Sequence, residues 1–374
     1  MLRMIQLQLF ACLGLALAAA ADHAAGQGAE TTSSIEAECR CTSNAIDQSV
    51  TQCRNPANIA IASRALPARG TAGSNFLVNY DQDNRTDYHD PKLESWHKKA
   101  LDAAVAIIPA DRIMNDPGSG KFRLDPQTVS NLQTAPLTNP DTGQLEPPNC
   151  CNERFCRQPS AATCSGVRVG KNRDIMLTAG HCFSPSNPVT GYNFVFGYKI
   201  SFAGQKMWEP LELVVCRGKP EKIVKGLTWQ LVPLDCPAGA TLPKSPPLGG
   251  VSSSAVNESI FTAGYPQGLP VKLAPDARIR SLIESDGKTV GFRADLDLFN
   301  GSSGSGVYRK DSSGQPVLVG IVEEGFFDYQ IVRRSGAACR RTCVINTVSL
   351  PADAGETITA ITGEIRKAIE DMDR

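Results

Sequence analysis

From Phe76 onward the apolar residues of this chain come in short runs, each ended within a few positions by turn-forming residues. Runs of that length, bounded by turn signals, pack as strands rather than as helices. The 32 glycines and 25 prolines among 374 residues supply the breaks, and a helical bundle tolerates few of either inside its elements. Val195-Phe196, Leu231-Val232, Ile260-Phe261 and Val317–Val322 read as strands. Asp286-Gly287, between Arg278–Ile283 and Thr289–Ala294, reads as a hairpin turn, because Asp-Gly tolerates the positive φ such turns need. Two stretches depart from the pattern. Asn115 to Pro148 is polar and proline-rich and reads as a long surface loop. Ala354 to Met372 places Ile358, Ile361, Ile365 and Ile369 three and four apart, which predicts an amphipathic helix docked on the body.

The first 21 residues read differently from the rest. Arg3 gives a positive start, Leu9 to Ala21 is apolar throughout, and Ala19-Ala20-Ala21 offers the small residues a signal peptidase accepts. Thirteen apolar residues fall short of the ~20 that span a bilayer as a helix. We therefore expect a cleaved signal peptide over 1–21 and export to the medium or a periplasm, with no membrane attachment afterwards. Residues 22–74, rich in Ala, Ser, Thr and Gly, form a cysteine-bearing extension or a propeptide, and 75–374 is the folded body. Of 13 cysteines, Cys12 leaves with the leader, so 13 − 1 = 12 remain. An even number in an exported chain reads as disulfides. Close groups are Cys39, Cys41 and Cys53; Cys150, Cys151 and Cys156; and Cys339 with Cys343. None has paired C-x-x-C spacing and only four histidines exist, so neither a structural zinc site nor any other cofactor is expected. Lys plus Arg equals Asp plus Glu at 38 each, so nothing marks the chain for nucleic acid or an anionic membrane. The sequence sets no oligomeric state.

Two segments carry chemistry. Leu177-Thr178-Ala179-Gly180-His181-Cys182 places a histidine beside a cysteine, and a disulfide there would fix the imidazole. Gly301-Ser302-Ser303-Gly304-Ser305-Gly306, after Asp297, places serines among glycines. A serine hydroxyl is a poor nucleophile until an imidazole takes its proton. Flanking glycines let the backbone turn tightly and aim N–H groups at a developing oxyanion. Each segment alone is commonplace, a structural histidine and a flexible loop. Together, in this order and about 120 residues apart, they make a nucleophile and its base.

These segments resemble those of trypsin-like serine proteases. Cys164 to Cys182 looks like that family's histidine region, with the cysteine pair bridging its ends, and Gly301 to Gly306 resembles its nucleophile loop, with Ser303 as nucleophile. Val319-Gly320-Ile321-Val322, followed by Gly325, looks like the strand lining the substrate backbone and primary pocket. Gly264-Tyr265-Pro266, Asp297-Leu298-Phe299, Asp83-Asn84-Arg85-Thr86-Asp87 and Glu153-Arg154-Phe155 resemble the bacterial branch that includes the glutamyl endopeptidases. The resemblance implies an all-β fold of two perpendicular six-stranded β-barrels with the site between them. It implies peptide or protein substrates and an oxyanion hole made of the Gly301 and Ser303 N–H groups. Asp297 and Gly325 would stand at the primary pocket, where an acid at Asp297 leans toward basic side chains. Val322, where glutamyl endopeptidases keep a histidine, argues against acidic specificity there.

The chain also departs from the family. Thr228 stands where the triad aspartate belongs, and Asp235 lies seven residues on, at the far end of the same strand. In the template triad, replacing that aspartate by asparagine costs about 10⁴ in turnover. Glu323 occupies a position where the family has serine, and we expect it to supply the missing carboxylate from the other side of His181. The expected protein is thus a secreted serine endopeptidase using His181, Ser303 and Glu323. The alternative is an impaired pseudopeptidase that kept the fold as a binding protein.

Overall fold

A computed structural model describes residues 79–374 except 139–143, 151, 253, 326–328 and 335–336. The expected leader, the 22–74 extension and Cys39, Cys41, Cys53 and Cys151 lie outside the described residues. The body is built on two closed antiparallel β-barrels of six strands each. In the first, β1 (Ala104–Pro109), β2 (Cys164–Arg168), β3 (Ile175–Ala179), β4 (Tyr192–Phe196), β5 (Val214–Gly218) and β6 (Trp229–Asp235) run in ring order β5-β4-β1-β2-β3-β6. The ring closes where Arg217 and Gly218 pair with Asp235 and Leu234. In the second, β7 (Ser259–Gly264), β8 (Lys272–Ser285), β9 (Lys288–Ala294), β10 (Gly306–Lys310), β11 (Pro316–Glu324) and β12 (Glu356–Ala360) run in order β7-β10-β11-β12-β9-β8, closed by the β7–β8 pairing. Closure leaves no long unpaired edge.

The strands bury both faces, which explains why they read as continuous apolar runs. Val105 and Ile107 of β1 point into the first barrel with Met176, Phe194, Phe196 and Val232. Ala104, Ala106 and Ile108 alternate outward, and there they join Ile175, Leu177 and Leu231 in a cluster with Phe261, Leu273, Leu318 and Ile321 of the second barrel. That shared cluster welds the barrels together. The second barrel's interior is Ile260, Ile279, Phe292, Val307, Val319, Val322 and Ile358. Each such large side chain contributes about 1.5–3 kcal/mol on leaving water. The expected hairpin forms as read: β8 and β9 pair up to Ser285↔Lys288, and Asp286 and Gly287 take φ of 51° and 69°.

Three segments differ from the sequence reading. Ala354 to Met372 is not one helix. Its first part is β12, whose Ile358 pairs with Phe292 of β9 and Val322 of β11, and only Gly363–Asp373 is helical (α2; α1 is introduced below). Ile358 and Ile361 fit a helical period, but the second barrel cannot close without β12, and the β-branched Thr357 and Thr359 suit a strand. Thr362 caps α2, its hydroxyl accepting from Ile365 N at 3.4 Å. Within Asn115 to Pro148, Asp116 belongs to a hairpin of Ile113–Asp116 with Lys121–Leu124, turning at Gly120 with φ of 67°. Helix α1 (Ser95–Ala103), which buries Ala100, Leu101 and Ala103 against the shared core, was not foreseen.

Disulfides join Cys150 to Cys339, Cys164 to Cys182 and Cys216 to Cys236. Among the described residues Cys156 has no disulfide partner, which the even cysteine count did not suggest. No helix among the described residues is long and apolar enough to cross a membrane.

Candidate active site

His181 lies two residues beyond the end of β3, and three contacts fix its turn. Cys182, next in sequence, is bonded to Cys164 at the start of β2. The Gly180 N–H donates to Thr228 O at 2.8 Å. The buried Gln230 amide donates to the carbonyls of Gly180 and Phe183. The imidazole remains accessible to solvent, yet partial enclosure of the ring lowers its pKa from the usual histidine value. A ring nitrogen of His181 and the sulfurs of Cys164 and Cys182 lie within 4.8 Å of one another. Those sulfurs are joined to each other, so they offer a metal no thiolate.

The Ser303 loop is shaped by glycines that nothing else could replace. Gly304 has φ of +84°, and a Cβ there would meet Ser165 O at 2.1 Å. Gly301 has φ of +91° and would meet Tyr265 O at 2.9 Å. Backbone bonds hold the loop to both barrels. Ser165 N donates to Ser303 O at 2.8 Å, Gly304 N to Val322 O at 2.8 Å and Val322 N to Ser305 O at 3.0 Å. The Ser165 hydroxyl donates to Gly301 O at 2.7 Å. Gln267 N donates to Asn300 O at 2.5 Å, which directs the Gly301 N–H of the same planar peptide the opposite way. Gly301 and Ser303 are both buried, yet neither backbone N–H has an acceptor among the described residues. Buried N–H groups without a partner are rare, and here two stand in one loop.

The position of the missing aspartate is filled by a chain of hydroxyls. Thr359 Oγ1, on β12, is 2.9 Å from Thr228 Oγ1 and 2.9 Å from Glu323 Oε2. The Glu323 carboxyl is pushed up to about 7, mainly by burial and further by Glu324, against the stabilising Thr359 hydroxyl. Sequence reasoning expected Glu323 on the far side of His181. The structure brings it instead to Thr228 through Thr359, with no hydrogen bond or ion pair between Glu323 and His181 among the described residues. Asp235 is at the far end of β6, ion-paired with Lys219 at 3.3 Å. Thr359 itself carried no sequence signal, being one of two threonines in β12.

Asp297 is buried, with Oδ1 accepting from Tyr80 N at 2.7 Å and Oδ2 from Asn84 N at 3.0 Å. Burial pushes its carboxyl up to about 7 in spite of those two donors. Gly325 follows the end of β11 and is half-buried. Gln267 was also missed. It takes φ of 58°, and its side-chain oxygen accepts from Arg85 at 3.1 Å. Arg85 in turn is buried and ion-paired with Asp83 at 2.8 Å. The Pro266-Gln267-Gly268 triplet signals a turn, but nothing in it points to Asn300.

Residues 164–321 match the trypsin-like peptidase domain family. No protein of curated function matches the chain. Among solved structures, a Glu endopeptidase in complex with MPD is 13% identical, with 79% of this chain and 99% of that one covered and a TM-score of 0.40. The VesB protease of Vibrio cholerae is 14% identical, with 79% of this chain and 68% of that one covered and a TM-score of 0.41. Neither likeness is close enough to assign a residue's role. The family match begins at β2 and ends in β11, so the similarity to the trypsin-like peptidase domain is laid across both closed barrels.

Proposed function

We propose that the chain is an exported serine endopeptidase that hydrolyses peptide bonds through an acyl-enzyme on Ser303. The observation that carries this reading is the pair of unpartnered buried N–H groups on Gly301 and Ser303, in a loop that glycines and cross-barrel bonds hold in one shape. Such donors stabilise charge that develops on a carbonyl oxygen during attack. His181, with its pKa lowered by enclosure, is neutral near pH 7 and free to take the Ser303 proton. The Ser303 oxygen then bonds to the substrate carbonyl carbon, and the oxyanion sits on the two N–H groups. His181 returns the proton to the leaving amine as the C–N bond breaks. Water, deprotonated by the same imidazole, releases the acid and restores Ser303.

Glu323 acts in this reading as a positioning residue through two threonines. The Thr359 hydroxyl faces both groups, 2.9 Å from Glu323 Oε2 and 2.9 Å from Thr228 Oγ1, and donates its single proton to one of them at a time. In this reading the Thr228 oxygen, which accepts from Thr359, is the group that would take the imidazole N–H of His181. Asp297 has both oxygens occupied by the N-terminal segment, so it anchors the wall behind the primary pocket, with Gly325 at the pocket's edge. Export accords with the leader-like sequence and with disulfides, which persist in oxidising compartments.

The test is the labelling rate of the processed protein with a fluorophosphonate, against Ser303→Ala. Labelling that disappears in the variant supports a working nucleophile. Absence of labelling in folded, processed protein would replace the endopeptidase with a pseudopeptidase that binds a partner.

A further inference from the structure

We infer that the cleft beside Asn300 is a subsite for an acidic side chain on the leaving-group side of a peptide substrate, which rests on the endopeptidase reading above. The cleft encloses about 180 Å³. On one side it is lined by Gln267 and Asn300, which hold the peptide adjoining Gly301. On the other it is lined by Thr163, the residue before Cys164, whose disulfide to Cys182 flanks His181. It therefore borders both the oxyanion loop and the covalent staple of the histidine. His181 must reach the leaving nitrogen, so the polypeptide beyond that nitrogen passes on the histidine's side and meets this cleft.

The lining chemistry fits an anion. Arg112 and Arg340 line the cleft, and none of its lining residues among those described is acidic. Arg112 donates through Nη1 to Ala161 O at 2.9 Å and has no ion pair among the described residues, which leaves most of its guanidinium donors for a ligand. Arg340, 2% exposed, adds a second guanidinium from the rear wall, where Nη2 donates to Ala135 O at 3.0 Å. Asn149, 3% exposed, donates to Leu132 O at 2.7 Å, while its side-chain oxygen has no partner. A carboxylate against a guanidinium in a partly desolvated cleft makes charge-assisted bonds roughly twice as strong as neutral ones.

Digestion of a mixed peptide pool by the full processed protein, with cut sites read by mass spectrometry, tests this. The expected result is about tenfold enrichment of Asp and Glu over Asn and Gln at the first or second position after the cut. Arg112→Gln should remove most of that enrichment, and Arg112→Lys should keep a large part of it. Cleavage with no acidic enrichment, or enrichment that survives Arg112→Gln, overturns the subsite. If the protein neither cleaves nor labels at Ser303, the endopeptidase reading has failed separately. Calorimetry of Asp-Ala-Ala against Asn-Ala-Ala on Ser303→Ala protein then decides the cleft. Tighter binding of the Asp peptide supports it, and equal binding overturns it.

Discussion

Two carboxyls lie on either side of the Ser303 loop, the buried Asp297 before it and the half-buried Glu323 at the end of β11, and both are pushed up to about 7. Burial is the leading cause for each, but their partners differ in kind. Asp297 accepts from two backbone N–H groups of a segment more than 200 residues earlier in the chain. Glu323 accepts from a side-chain hydroxyl that is itself in contact with a second hydroxyl at Thr228. A backbone N–H only donates, so a carboxyl bound by two of them ends its network and fastens a segment in place. A hydroxyl donates and accepts, so it can transmit the influence of a carboxyl to a further group. Equal perturbation thus accompanies an anchor in one region and, in the other, a carboxyl whose partner also touches a further hydroxyl, the arrangement proposed above as a relay. A shifted carboxyl locates a special environment, and the partner's chemistry says what the environment does.

The comparison can be broken most readily at Glu323. Glu323→Gln should lower kcat/KM by about 10² or more, in keeping with the order of loss when a triad acid is neutralised, with little change in Tm. An unchanged rate would end the relay. Thr359→Val, which keeps the shape and removes the hydroxyl, should cost somewhat less, about tenfold to hundredfold, and Thr359→Ser should restore most of the rate. Equal loss in both variants would assign Thr359 to packing. The paired change Thr228→Asp with Glu323→Ser returns the usual arrangement and should be more active than either single change. A double-mutant cycle showing simple additivity would count against coupling of the two positions.

Asp297→Asn should act in the opposite sense, on stability more than on rate. One backbone N–H would face an amide instead of an oxygen, a loss of about 1–3 kcal/mol, while kcat/KM changes by less than about tenfold, well below the loss at Glu323. A large rate loss at unchanged Tm would place Asp297 in the substrate pocket after all.

The smallest effect is a pH dependence. In the unfolded chain these carboxyls titrate near 3.8 and 4.5, and in the fold at about 7. A raised folded value means that the stabilising, protonated form prevails at low pH, and that its contribution is lost as pH rises through about 7. Within the range where the barrels remain folded, the Tm of Ser303→Ala protein should therefore fall from pH 5 to pH 8. Asp297→Asn should flatten that slope, so its deficit relative to the parent narrows at high pH. A parallel slope in the variant would remove Asp297 as a source.

Much of this was legible in the sequence for local reasons. The Asp286-Gly287 turn, the apolar strand runs, and the glycines around Ser303 follow from backbone sterics acting over a few residues. Thr228 in place of the aspartate was equally plain, because the strand Trp229–Asp235 kept its pattern around it. The readings that failed were those in which one residue pattern served two elements. Ile358 and Ile361 fit a helix by spacing, and only the need for a sixth strand between β9 and β11 assigned Ile358 to β12.

The sequence by itself determined the strand-rich class, the histidine and serine segments, and the loss of the aspartate, since each depends on neighbours in the chain. Tertiary structure alone decided that Glu323 meets Thr228 through Thr359, that Asp297 is tied to Tyr80 and Asn84, and that Gln267 fixes the Asn300 carbonyl. Each of those contacts joins residues 33 to 217 positions apart. Such pairs come within hydrogen-bond reach only when two barrels close and share a core, and short-range periodicity carries no record of that closure.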